Sequence, residues 1–259
     1  MHPEPFPSLP ADTARAAKSV FNIENLYLAI GDRLDRLFDD INWDDLHALD
    51  AKPAHNLFVL AMVTIFQFAE GLADDQAAEA VRTRMDWKYA LHLSLDYPGF
   101  APAELREFRQ RLRLDRSGQR VFRHLLARLG KLGLLGGRDK RDVSVATVLD
   151  TVDALSRLER VTQAMTQALE ALASEEPAWL RAISPPHWYE RYGPTLVTLP
   201  LPGSPEEQKA LVQAIGTDIS RLLEVLATTG APACELLPEV QALRKTWHRE
   251  FEAHANEPV

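Results

Sequence analysis

Apolar residues along this chain recur at three- and four-residue steps, the spacing that gathers them on one face of an α-helix rather than on alternate sides of a strand. Ile23, Leu26, Ile30, Leu34 and Leu37 predict an amphipathic helix over 24–39. The stretch after Pro53 is apolar almost throughout from 54 to 70, as expected of a buried central helix, and Gly71 ends it. Asp74 is placed to cap a helix over 75–84, its carboxylate accepting from free backbone N–H groups. A short helix over 86–94 then runs into the turn Tyr97-Pro98-Gly99. Pro102 suits the first turn of a helix over 103–114, Ser117 caps one over 118–129, and Gly130 closes it.

Beyond a segment rich in glycine and basic residues, Gly130–Arg141, the helical period resumes. Val145, Val148, Leu149, Val152, Leu155, Leu158, Val161, Met165, Leu169 and Leu172 trace the seam of one long helix, and that seam needs a partner. Pro177, Pro185 and Pro186 interrupt the next region, and the prolines at 194, 200, 202 and 205 make 194–205 an extended linker. Ser204-Pro205-Glu206-Glu207 starts a further helix as a capping box with proline in first position, followed by Leu211, Ile215, Ile219, Leu222 and Leu226 on one face. A last helix covers 238–252. With no sustained strand pattern the expected class is all-α. It comprises a helical N-terminal domain over 1–130, a basic glycine-rich linker over 131–141, and a second helical region over 142–259.

Composition narrows the class without naming a function. The 259 residues are 46% hydrophobic and 25% charged, an ordinary globular balance. The single cysteine, Cys234, excludes an internal disulfide and a cysteine-built zinc site. The longest apolar stretch, Leu57–Phe66, falls short of the ~20 residues a bilayer span requires. The opening MHPEPFPSLP lacks a basic region followed by an apolar core. No membrane partner and a cytoplasmic location are expected.

Charge is informative because it is uneven. The net charge of −8 opposes general affinity for nucleic acid, yet residues 103–141 hold 12 of the 29 lysines and arginines and only 4 of the 37 acids. Arg106, Arg109, Arg113, Arg116, Arg120 and Arg123 recur at three- and four-residue steps and can line one face of two consecutive helices. Multivalent cation display of this kind releases counterions from a nucleic-acid backbone. The alternative is a solvated face paired with local acids, of which Glu104, Glu107, Asp115 and Asp139 are at hand.

Other constellations carry less. Asp39, Asp40, Asp44 and Asp45 around Trp43 could offer oxygen ligands to a divalent cation, but their spacing matches no calcium loop and suits a solvated turn. His248 and His254, with Glu250 and Glu252 between them, are six apart, wrong for one helical face and better read as a frayed polar terminus. The glycines at 130, 133, 136 and 137 form no phosphate loop, since Gly130-Lys131 is followed by Leu132 rather than a hydroxyl. The helix, glycine turn and small-residue helix over 66–81, with Ala77, Ala78 and Ala80, followed by a third short helix, suit a helix-turn-helix core. In that module Arg82, Arg84 and Lys88 are candidate DNA contacts, with Trp87 and Tyr89 either beside them in the groove or, better for Trp87, anchored in the core.

The string from Phe68-Ala-Glu-Gly-Leu-Ala-Asp-Asp to Met85-Asp-Trp-Lys-Tyr-Ala-Leu91 closely resembles the InsH-type N-terminal domain of bacterial insertion-sequence transposases. Asp96-Tyr-Pro-Gly-Phe100, Leu105-Arg-Glu-Phe-Arg-Gln-Arg-Leu112, Gly133-Leu-Leu135, Leu155-Ser-Arg-Leu-Glu159, Pro177-Ala-Trp-Leu180 and Pro186-His-Trp-Tyr-Glu-Arg-Tyr-Gly193 fit the same family, which spans about residues 10 to 250. The resemblance implies a helical domain that recognises the element's DNA ends. It also implies an RNase H-like domain using two aspartates, a glutamate and magnesium, with a helical insertion that residues 150–250 resemble. Where the family places its first catalytic aspartate, this chain reads Val143-Ser-Val-Ala-Thr147, with Ser144 at the position. A neutral hydroxyl is a poor ligand for two-metal chemistry. The remaining acids are not expected before Val259, so no catalytic or metal residue and no cofactor is assigned, and Asp142 does not match its context. At most a short strand is expected near 142–147. Two functions stay open: a DNA-binding protein derived from a transposase, associated with the nucleoid and without strand transfer of its own, or a helical module or decayed remnant that self-associates through 145–173.

Overall fold

The computed structural model describes residues 7–22, 24–34, 54–135, 143–193, 205–228 and 232–252. Among them every regular element is helical: α1 (Ala11–Val20), α2 (Leu26–Gly31), α3 (Ala54–Glu70), α4 (Asp74–Thr83), α5 (Met85–Ala90), α6 (Pro102–Leu114), α7 (Arg116–Lys131), α8 (Val145–Glu175), α9 (Pro177–Ile183), α10 (Pro186–Tyr192), α11 (Pro205–Thr228), α12 (Pro232–Glu235), α13 (Pro238–Trp247) and a π-helical turn, His248–Glu252. The all-α expectation holds. Residues 143–147 form no strand; they lead into α8. The acidic group at Asp39, Asp40, Asp44 and Asp45, the linker over 194–204, Ser204, Gly136, Gly137, Asp142, His254 and the end of the predicted helix over 24–39 lie outside the described residues.

The chain divides into two compact units, Met1–Asp153 and Ala154–Val259. The division falls inside α8 rather than in the glycine-rich segment. Val145, Val148 and Leu149 bury into the first core, and Asp150 and Asp153 take arginines of α6, so the first turns of α8 belong with the N-terminal helices.

In the first unit α3 is the central element. Leu57 to Val63, Ile65 and Phe66 are buried all round, against α4, α6 and α7. Gly71, at φ +68°, makes the turn that ends α3, a backbone conformation a side chain would strain. The expected cap at Asp74 is corrected. Asp74 is the first residue of α4, and its carboxylate faces inward, accepting from Arg109 Nη1 at 2.7 Å, Arg109 Nη2 at 2.9 Å and Gln67 Nε2 at 3.0 Å. Gln76 instead ties the helix start, its Oε1 accepting from Ala73 N at 3.0 Å. Ser117 is likewise not the cap of α7. Asp115 is, accepting from Ser117 N at 3.4 Å and Gly118 N at 2.6 Å. Helix α7 runs through Gly130 to Lys131 and stops at Gly133, φ +93°, where Leu134 N donates to Leu129 O at 3.2 Å.

Helix α1 has no counterpart in the apolar pattern. Its buried residues are Thr13 and Ala17, and Thr13 Oγ1 donates to Leu93 O at 2.9 Å. The six-residue α5 packs on α1, α2 and α4 and is buried from Asp86 to Ala90.

In the second unit Leu158, Val161, Met165, Ala168 and Leu172 of α8 join one core with Ile215, Ile219, Leu222 and Leu226 of α11 and Val240 and Leu243 of α13. The seam of α8 therefore finds packing partners within the chain, part in each core. Pro177 and Pro186 do not break helices; each opens one at a first-turn position that lacks an intrahelical N–H bond anyway. The C-terminal region is no frayed polar end as far as 251. Phe251 stacks on Trp247 at 4.6 Å, and Glu250 is buried.

Arg109 is 1% exposed, and removal of one partner from a buried pair leaves a charge without compensation. Asp74→Ala is expected to lower the unfolding free energy of the first unit by about 3–5 kcal/mol, measured by urea denaturation. Unchanged stability would show that the pair does not hold α4 to α6.

Candidate nucleic-acid interface

The arginines of 103–141 separate into an inward and an outward set. Arg109 Nε donates to Asp153 Oδ1 at 2.6 Å while its two Nη atoms hold Asp74. Burial works against its charge, but the two carboxylates outweigh that and hold the guanidinium above its ordinary value. Arg113 Nη2 lies 2.8 Å from both Asp150 and Asp153, and Arg111 pairs with Glu107 at 3.5 Å. Arg109 is thus a core residue rather than a phosphate ligand, and Arg113 is exposed but paired with Asp150 and Asp153. Arg106, half-buried on α6, makes no ion pair among the described residues.

Helix α7 is different. Between Arg116 and Lys131 it carries five cations and no acid. Its buried side is Val121, Phe122, Leu125, Leu126 and Leu129. Arg116, Arg120, Arg123 and Lys131 fall at steps of four, three and eight, which at ~100° per residue puts them within one stripe opposite that side. All four are exposed. Arg120 Nη2 also reaches Ser117 Oγ at 3.1 Å. One helix therefore presents a basic ridge to solvent, with its orientation held by its own apolar face.

The helix-turn-helix reading is corrected. A recognition helix must stand free to enter the major groove. Helix α5, where that helix was expected, has six residues, and Asp86, Trp87, Lys88, Tyr89 and Ala90 are all buried. Lys88 is 4% exposed, its Nζ donates to Leu95 O, and burial pushes its ammonium below the usual range despite Asp96. Trp87 is the core anchor, ring to ring with Phe66 at 5.1 Å, and Tyr89 donates its hydroxyl proton to Asp32.

Glu70, which the apolar pattern passes over, organises this region. Its carboxylate accepts from the Tyr27 hydroxyl, from Trp87 Nε1 at 3.3 Å and from Arg84 Nη1 at 2.5 Å. Arg84 also forks onto Asp86, at 3.0 and 2.7 Å, and lies 4.8 Å over the Trp87 ring. Arg84 is thereby tied internally. Arg82 is exposed and pairs with Glu79 at 2.5 Å. Ser144 precedes α8 as its cap: its Oγ accepts from Thr147 N at 3.0 Å. No group of three or more metal-ligating side chains gathers among the described residues. Among them, no single helix is long and apolar enough to cross a membrane.

Residues 23–111 match a family model described as a transposase domain (DUF772). Neither a curated protein nor a solved structure matches the chain. The chain thus carries a transposase-related domain. The match runs into α6 and ends before the basic ridge of α7.

The second unit contains its own buried carboxylate. Asp218 accepts from His187 Nε2 at 3.0 Å, from Tyr192 Oη at 2.8 Å and from Arg191. The motif Pro186-His-Trp-Tyr-Glu-Arg-Tyr192 thus locks α10 to α11. Burial raises the Asp218 carboxyl, but its donors outweigh burial and hold it below its ordinary value. A depressed folded value contributes stability above the unfolded value, about 4, and loses it as pH falls through the folded one. Asp218→Asn should flatten the acid side of the stability–pH curve below about pH 4, read by thermal melts from pH 2 to 7. A curve of unchanged shape would exclude this carboxylate as a source of acid lability.

Proposed function

We propose that the chain is a DNA-binding protein derived from an insertion-sequence transposase of the InsH type, which grips the element's ends through the exposed cations of α7. The observation that carries this reading is a sixteen-residue helix with five cations, no acid and a basic ridge opposite its buried face, directly after a transposase-related domain. Such a ridge neutralises backbone phosphates and positions the protein without reading bases. Arg82 is exposed and Arg106 half-buried, and both are open to a further contact; Arg109, Arg84 and Lys88 are held inside the fold. The acid-rich remainder of the chain opposes general affinity for DNA.

Strand transfer by this chain alone is not part of the reading. Its support is Ser144, whose neutral hydroxyl stands where the family resemblance places an aspartate and is engaged in capping α8. Incubated with magnesium or manganese and DNA bearing the element's ends, the purified protein should leave the DNA intact. Metal-dependent nicking on a denaturing gel would overturn this part.

Mobility shifts on the element's terminal repeats at low salt test the binding reading. With about four phosphate contacts, log affinity should fall against log salt with a slope of roughly −4. Replacing Arg116, Arg120 and Arg123 by glutamine should weaken binding to every sequence and bring the slope to roughly −1. Arg113→Gln should leave the slope unchanged, since that side chain serves Asp150 and Asp153. Binding that ignores the triple replacement would refute the assignment to α7.

A further inference from the structure

A second gathering of arginines lies in the second unit and is unused by the α7 reading. Glu250 sits in the π-helical turn His248–Glu252, its side chain 6% exposed. Its Oε1 accepts from Arg160 Nε at 3.1 Å and Arg249 Nε at 3.0 Å, and its Oε2 from Arg160 Nη2 at 3.4 Å, with Arg157 Nε at ion-pair distance, 3.7 Å. Arg157 donates an Nη2 proton to the Glu250 carbonyl and lies 5.1 Å over the Phe251 ring, which stacks on Trp247. Arg157 and Arg160 are three residues apart on α8 and so project from one side of it. Glu159, between them in sequence, lies about 100° from Arg160 and 200° from Arg157 around the helix.

Among the described residues three guanidinium groups share one carboxylate within ion-pair distance. They carry about fifteen N–H donors, against about six acceptor sites on the Glu250 carboxylate and carbonyl. Arg157 Nε is buried without a hydrogen-bond partner. Burial, with Arg160 close by, holds the Arg157 guanidinium below its ordinary value despite Glu250, as expected of a cation short of counter-charge. The surplus donors have access to solvent: the side chains of Arg157, Arg160 and Arg249 are 29%, 23% and 58% exposed. Single π turns recur at functional sites, where the extra residue redirects side chains.

We propose that Arg157, Arg160 and Arg249, gathered around Glu250, form a binding site for a phosphate group, either the free anion or a backbone phosphodiester. Guanidinium forks match pairs of phosphate oxygens, and several converging on one point recognise a tetrahedral oxyanion. Glu250 holds the three groups together, and its carboxylate competes with a bound anion, so binding is weak.

Calorimetric titration of the full chain with inorganic phosphate, at constant ionic strength set with chloride, tests the proposal. Saturable binding with a Kd on the order of 1 mM is expected, with a rise in Tm at saturation. Arg249→Gln, on an exposed side chain, should weaken it roughly tenfold. Glu250→Gln should lower the starting Tm and tighten phosphate binding, because the competing carboxylate charge is gone. If the arginines only hold Glu250, phosphate will not restore the Tm of that variant. The absence of saturable binding to the unaltered chain, or binding indifferent to Arg249→Gln, would overturn the site, even where Glu250→Gln fails to fold. A short DNA duplex titrated into the chain lacking Arg116, Arg120 and Arg123 separates the two sources. Residual binding that Arg249→Gln weakens assigns the phosphodiester; phosphate binding without duplex binding assigns the free anion. Failure at this site leaves the α7 reading intact, since the two sets of arginines are independent.

Discussion

The first unit depends on one buried guanidinium. Arg109 of α6 meets Asp74 at the start of α4 and Asp153 in α8, while Gln67 of α3 shares Asp74. Three helices meet at one planar group, and α3 joins them through Asp74. Lysine could not replace it, because the two Asp74 oxygens and the Asp153 oxygen are met by three N–H directions set in one rigid plane. The carboxylate of Asp74 also stands in the first turn of α4, where the helix dipole favours negative charge. Apolar contacts alone would let α4, α6 and α8 slide; a bidentate pair in a low-dielectric interior admits one register.

That constraint divides the basic segment by role. Helix α6 turns Arg109 and Arg113 toward acids brought up by α4 and α8, so much of its charge is spent on the fold. Helix α7 carries no acid, and its apolar residues occupy the opposite side, so its charge faces water. A helix of an acidic protein can thereby present a positive surface, with ionic strength setting how far it is felt.

The residues that carry the transposase resemblance are mostly internal. Glu70 ties Tyr27, Trp87 and Arg84; Gly71 turns the chain; Asp74 holds Arg109; Asp86 holds Arg84. A string of that kind specifies how helices lock together, and it lies within the matched residues 23–111. In the second unit His187, Arg191 and Tyr192 serve Asp218 in the same way. The exposed cations of α7 lie outside that string, and the fold does not use them to lock these helices.

The sequence by itself determined the helical class, the long seam of α8, the central apolar α3 and the concentration of positive charge at 103–141. Each follows from residue type and spacing within a few turns, which local periodicity encodes. Helix α1 escaped it because Thr13 and Ala17 bury too little apolar surface to mark a face. The tertiary structure alone decided which arginines are available, that α5 is buried rather than free for a groove, that the seam of α8 is filled by the chain itself, and that Arg157, Arg160 and Arg249 meet at Glu250. Decisive pairs lie far apart in sequence, Arg109 and Asp74 by 35 positions and Arg157 and Glu250 by 93. Whether a charge points inward is settled by the acid that arrives from another helix, and no pattern along one helix contains that acid.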